Sequence, residues 1–129
     1  MSENKLILQL LKEKYGVCRL AEASSIPEWA KTSDFFSITK TYDELSIVCV
    51  EANIPKDIKC EKDWRILKVE GQLDFSLIGI LSEISTILAQ NKISIFAIST
   101  YDTDYILVKD KDVQNAVTAL MNKGYEVLT

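Results

Sequence analysis

The chain contains no histidine. That absence removes His-based acid–base catalysis, every triad built on an imidazole, and any His-ligated metal. Cysteine is scarce. Cys18, Cys49 and Cys60 are odd in number and show no C-x-x-C spacing, which argues against a zinc site and against a disulfide framework. Cys18 and Cys49 sit inside apolar, strand-like runs and read as buried free thiols, as expected in a reducing cytoplasm. No apolar run approaches the ~20 residues of a membrane span. The N-terminal MSENKLILQLL has an early Glu3 and only a short apolar run before Lys12, Glu13 and Lys14, so it lacks the layout of a secretory signal. Positive charge is not in excess either. A formal net charge of −4 disfavours general binding to nucleic acid or anionic membranes, which need a basic face. The tyrosines form no basic–aromatic stripe of the kind single strands require. There are no clustered carboxylates, no glycine loop to cradle a phosphate and no cysteine beside a visible base. The sequence therefore predicts no catalytic residue, no metal, no cofactor, and neither nucleic acid nor membrane as partner.

What is present is a globular composition. Hydrophobic residues make up 47% of the chain and can supply a core, while 26% are charged and can coat it. A length of 129 residues suits one ordinary domain or two small ones. The most patterned stretch runs from Trp64 to Val108. Arg65–Val69 alternates and is β-rich, then Gly71, Gln72 and Asp74 break it. From Gly79, Ile80, Ile84, Ile87 and Leu88 recur on one helical face, and Asn91 and Lys92 end the pattern. Ile93–Thr100 and Tyr105–Val108 read as strands around a Tyr101–Asp104 turn. A second amphipathic helix covers about Lys111–Asn122 and stops at Gly124, followed by a last strand, Tyr125–Leu128. The order is β-α-β-β-α-β, the ferredoxin-like unit of an α+β fold.

The first half reads as strands with little helix. Lys5–Leu11 pairs in pattern with Tyr15–Leu20 across a Glu13–Gly16 turn. Pro27, after Ser24–Ile26, opens a helix of one or two turns through Glu28, Trp29 and Ala30. Phe35–Thr39 and Leu45–Glu51 form a hairpin about Thr41–Glu44. Ile54–Glu61, with Pro55, is the connector. Trp29 and Trp64 are expected to pack between helix and sheet. Asp110 or Asp112 is expected to cap the second helix, and Glu83 to point into solvent.

One constellation carries possible chemistry: the loop Asp74–Ile80 together with Ser94, Ile95 and Asp104. A helix starting near Gly79 leaves free backbone N–H groups and a partial positive charge, a place for a carboxylate. Gly79 permits close backbone approach. Asp74 or Asp104 would hold an ammonium or guanidinium. An amino acid carries both groups. The plainer alternative is that Asp74 or Ser76 caps the helix while Asp102 and Asp104 are turn residues.

The runs EGQLDFSLIGIL and ISIFAISTYDTDYILV, with TKTYDELSIVC in the first half, resemble the small bacterial ACT-domain proteins related to the cytosolic arginine sensors (CASTOR-type). The resemblance covers nearly the whole chain, and STYDTDYILV is its specific part; the strand order alone hosts many functions. It implies two ACT-like units with antiparallel sheets and helices on one face: an abbreviated one at 1–57 and a complete one at 62–129, joined through 58–61. It also implies a non-enzymatic regulatory module with an amino-acid ligand between ACT units, a homodimer, and a regulated protein partner. The ligand's carboxylate end would meet Leu77, Gly79 and Ile80, with Ser94 and Ile95 adding contacts and Asp104 facing the cationic end. Leu77 stands where the sensors carry an acidic residue, and Ile78 where the usual loop proline stands. An amino acid is implied without arginine being singled out. An enzyme subunit on a ferredoxin-like fold, or an interaction scaffold without ligand, are the other classes.

Overall fold

The computed structural model describes residues 6–70 and 79–129. In chain order the strands are β1 (Ile7–Leu10), β2 (Tyr15–Leu20), β3 (Ser37–Lys40), β4 (Leu45–Val50), β5 (Cys60–Glu70), β6 (Ile95–Ser99), β7 (Asp104–Lys109) and β8 (Glu126–Leu128). The α-helices are α1 (Ile80–Gln90) and α2 (Val113–Asn122). Two compact units divide the chain. One is residues 13–64; the other is residues 1–12 with 65–129. The boundary falls inside β5.

In the unit 13–64, β2 pairs antiparallel with β4 from Tyr15↔Val50 to Leu20↔Leu45. The β3–β4 hairpin runs from Ser37↔Val48 to Lys40↔Leu45. Its turn is held by the Thr41 hydroxyl oxygen, which accepts from the amides of Asp43 at 3.1 Å and Glu44 at 3.2 Å, as the side chain of a turn residue does. The inward faces of these strands, Cys18, Leu45, Ile47 and Cys49, meet Ala30 and Ile54 in a small core, with Trp29 packed against it. The helix expected after Pro27 is a single 3-10 turn, Glu28–Lys31, with Pro27 at its N-cap rather than inside it. Cys60 and Glu61, read as the end of the connector, already lie in β5.

The other unit contains β5-α1-β6-β7-α2-β8, the expected βαββαβ order. Its strands lie in the spatial order β6-β7-β5-β1-β8. β1 is the departure. It does not form a hairpin with Tyr15–Leu20. It runs antiparallel to β5, from Ile7↔Glu70 to Leu10↔Leu67, and parallel to β8, from Ile7↔Glu126 to Gln9↔Leu128. The expected units ran 1–57 and 62–129; residues 1–12 instead accompany 65–129. The physical reason lies in burial. Leu6, Leu8 and Leu10 point together into the core cluster with Leu67 and Val69, and a strand placed between two others has both edges of its backbone paired. α1 buries Ile84, Ile87 and Leu88, and α2 buries Ala116, Ala119 and Leu120, against that same cluster. Ile80 is only partly buried, at the end of the face. Trp64 is buried.

Candidate functional site

Three ties place the start of α1 at the end of the sheet where β5 stops. Ile7 faces Glu70 on one side and Glu126 on the other, so Glu70, Ile7 and Glu126 form one row. Just before β8 stands Tyr125, whose hydroxyl donates to Oε1 of Glu83 in the first turn of α1. The Thr103 hydroxyl donates to the Val69 carbonyl at 2.6 Å, which brings the start of β7 to the same end. Gly79, Ile80 and Asp104 therefore share one rim.

Gly79 is the N-cap of α1, with φ +87° and no side-chain hydrogen bond capping the turn. A Cβ added there would meet nothing within 4 Å. Glycine is thus favoured by the left-handed backbone and not by crowding. The first-turn N–H groups of a helix have no partner inside the helix and carry its positive dipole end. Opposite in sign, the carboxylate of Asp104 is half-buried and accepts a 2.6 Å hydrogen bond from the Ser99 hydroxyl. Among the described residues no cation pairs with Asp104. Glu70, Glu83 and Glu126 lie at the same end, and Lys68 offsets Glu70 at 3.8 Å. The described residues of this rim therefore set a helix N-terminus, with its positive dipole end, beside several carboxylates.

Ser94 and Ile95 lie elsewhere. Ile95 pairs with Val108, whereas Ser99 pairs with Asp104. Four residues of strand, about 13 Å, separate the two ends of this hairpin. Within one chain the fold brings Gly79, Ile80 and Asp104 to one rim and leaves Ser94 and Ile95 at the other. Asp74 and Leu77 lie outside the described residues.

Several expectations about neighbouring side chains change. Asp112 occupies the N-cap position of α2 but makes no capping hydrogen bond with its side chain. Asp110 instead receives Nη1 of Arg65 at 3.2 Å, while Nη2 of Arg65 reaches the Leu11 carbonyl at 3.1 Å. Glu83 is exposed, as expected, and in addition accepts from Tyr125. Burial and the Glu83 carboxylate hold the Tyr125 hydroxyl well above the ordinary tyrosine range. Thr103, Ser99 and Tyr125 are the residues of this rim that sequence patterning missed. Only Thr103, inside a recognisable turn, left a local signal.

The fold is that of a small α+β module of the ferredoxin-like kind. The chain belongs to the ACT-domain family: the ACT domain model matches residues 59–122, and a model of an N-terminal domain matches 13–57. A crystal structure of protein Atu0741 from Agobacterium tumefaciens is 38% identical, with a TM-score of 0.92 over 96% of this chain and 92% of that one. The human cytosolic arginine sensor for mTORC1 subunit 1 is 31% identical over 110 residues, 78% of this chain and 33% of the sensor. The chain thus spans about a third of the length of the curated relatives it matches, 33% for the human protein. The regulatory subunit of aspartate kinase from Thermus thermophilus shares the fold at 10% identity, with a TM-score of 0.62 over 89% of this chain and 95% of that one. Among the described residues no helix is long and apolar enough to cross a membrane.

Proposed function

We propose that this chain is a non-enzymatic, cytoplasmic regulatory module that binds one free amino acid at the α1 rim. The observation that carries the reading is the pairing of opposite demands at that rim: the positive end of α1 behind Gly79, and an Asp104 carboxylate with no cation paired to it among the described residues. The ligand's carboxylate meets the backbone of Leu77, Gly79 and Ile80. Asp74 or Asp104 takes the α-ammonium or a cationic side chain. Ser94 and Ile95 are contributed by a second copy. A relative that is an arginine sensor supports the ligand class. The unit 13–64 acts as the abbreviated ACT-like half, and the signal passes to a regulated protein partner.

A thermal-shift screen of the twenty amino acids tests this directly. A ligand that binds only the folded state raises the midpoint. At least one amino acid is expected to do so, and Asp104→Ala is expected to weaken it by about 2 kcal/mol or more in calorimetry, the cost of leaving a charge unpaired. If none of the twenty moves the midpoint, the module has no amino-acid ligand. Equal affinity in both proteins removes Asp104 from the site.

A further inference from the structure

The three cysteines, distant in sequence, converge on one core. Cys18 on β2 is flanked by β4, which carries Cys49, and by β5, which carries Cys60; the Cys60 thiol donates to the Glu61 carbonyl at 3.6 Å. All three are free thiols; Cys18 and Cys49 are buried and Cys60 is partly exposed. The register separates the two pairs. Cys18 stands directly across from Cys60. On the other side its partner is Ile47, while Cys49 faces Gly16, so Cys18 and Cys49 are diagonal neighbours. The Arg19 amide donates to the Lys59 carbonyl at 3.1 Å. That bond makes Arg19 and Lys59 a hydrogen-bonded pair and leaves Cys18 and Cys60, one step along, as a non-hydrogen-bonded pair. In such pairs the Cα atoms approach to about 4.5 Å and the side chains are closest. A disulfide needs Cα atoms about 4.4–6.8 Å apart, whereas diagonal neighbours sit about 7–8 Å apart. The Cys60 sulfur leans over Gly16, where an added Cβ would lie 2.7 Å from it. Only a glycine leaves that space, on the β2 side of Cys60.

We propose that Cys18 and Cys60 form a reversible intramolecular disulfide when the protein meets a hydroperoxide. Cys60 is the entry point because it is the partly exposed thiol. Its thiolate attacks one oxygen of the peroxide, the O–O bond breaks, and sulfenic acid forms with release of water or an alcohol. The Cys18 sulfur then attacks the sulfenic sulfur, the S–O bond breaks, and the hydroxide leaves as water with the Cys18 proton. Two thiols lose two hydrogens and two electrons, and the peroxide accepts them. Burial raises the Cys60 pKa, so this is a slow, oxidant-driven modification rather than peroxidase turnover. Cys49 remains a thiol.

The test uses the full chain treated with hydrogen peroxide, quenched in acid, alkylated under denaturing conditions and mapped by mass spectrometry. Alkylatable thiols should fall from three to one. The cross-linked peptides should contain Cys18 and Cys60, and dithiothreitol should restore all three thiols. Cys49→Ser should give the same link, and Cys60→Ser should give none. Three thiols still alkylatable after treatment, a link that includes Cys49, a link between chains, or Cys60 carried alone to sulfinic acid would each overturn the proposal. The mapping of the unaltered protein decides it even where a variant folds poorly.

Discussion

At the scale of single residues, the hydrogen bond from Tyr125 to Glu83 shows how the rim is held. Tyr125 is 3% exposed, so its hydroxyl needs a partner, and the Glu83 carboxylate supplies one. Burial is the larger cause of the raised tyrosine pKa, and the acceptor carboxylate adds to it. A folded pKa above the ordinary 10.0 means that the folded state holds the proton more tightly than the unfolded chain. The stabilisation is whole below pH 10 and is lost as pH rises through the folded pKa. Tyr125→Phe should cost about 1 kcal/mol near neutrality, and the gap to the parent should close above pH 10. Urea midpoints of both proteins across that range check it; a gap that stays constant would mean the hydroxyl does not titrate with folding. The partner of Glu83 could not be read from sequence because it stands 42 residues away, beyond any local pattern. Gly79 was legible as a helix start, but the positive φ that explains the glycine is a property of the folded backbone.

At the scale of elements, legibility tracks how local the decisive interactions are. The β6–β7 hairpin was readable because its turn is closed from within: the Thr100 amide donates to the Thr103 carbonyl at 2.8 Å, and the Thr100 hydroxyl donates to it at 3.0 Å. α1 was readable from its apolar face. β1 was not. Alternation of Leu6, Leu8 and Leu10 tells which face is buried but not which strands lie alongside, and nearness in sequence favoured β2. A strand inserted between β5 and β8 is part of the core, not a fraying end. Leu8, fully buried, should cost about 2–4 kcal/mol when changed to Ala. Ile7, which is 37% exposed, should cost about 1 kcal/mol or less. Denaturant midpoints of the two variants distinguish the cases, and equal small losses would mean β1 is peripheral. Ile84→Asp places an unpaired charge at a 0% exposed position of α1 and should unfold the unit, read by circular dichroism. A melt like the parent's would mean the α1 face is wrongly assigned.

At the scale of the whole molecule, the question is how Ser94 and Ile95 could reach the proposed amino-acid site about 13 Å away at the Gly79–Asp104 rim. A second copy answers it. β6 pairs only with β7 among the described strands, so its other edge has no partner among them. Its sequence, IFAIS, has none of the charges or prolines that blunt exposed edges. Two β6 strands joined antiparallel about a two-fold axis near Ala97 would set the start of each against the end of the other. Ser94 and Ile95 of one copy would then stand beside Ser99 and Asp104 of its mate, and two equivalent sites would form. In such a dimer each ligand would touch both chains, so it would tighten the dimer, and dimerisation would tighten the ligand by the same factor. Ala97 is exposed; Ala97→Lys would place two like charges across the axis, and it should yield monomers that bind the ligand more weakly. Sedimentation across a dilution series, with and without the amino acid found in the thermal screen, measures the linkage. The ligand should move the monomer–dimer midpoint to lower protein concentration. Monomers at every concentration with the ligand bound would place the whole site within one chain and leave Ser94 and Ile95 outside it.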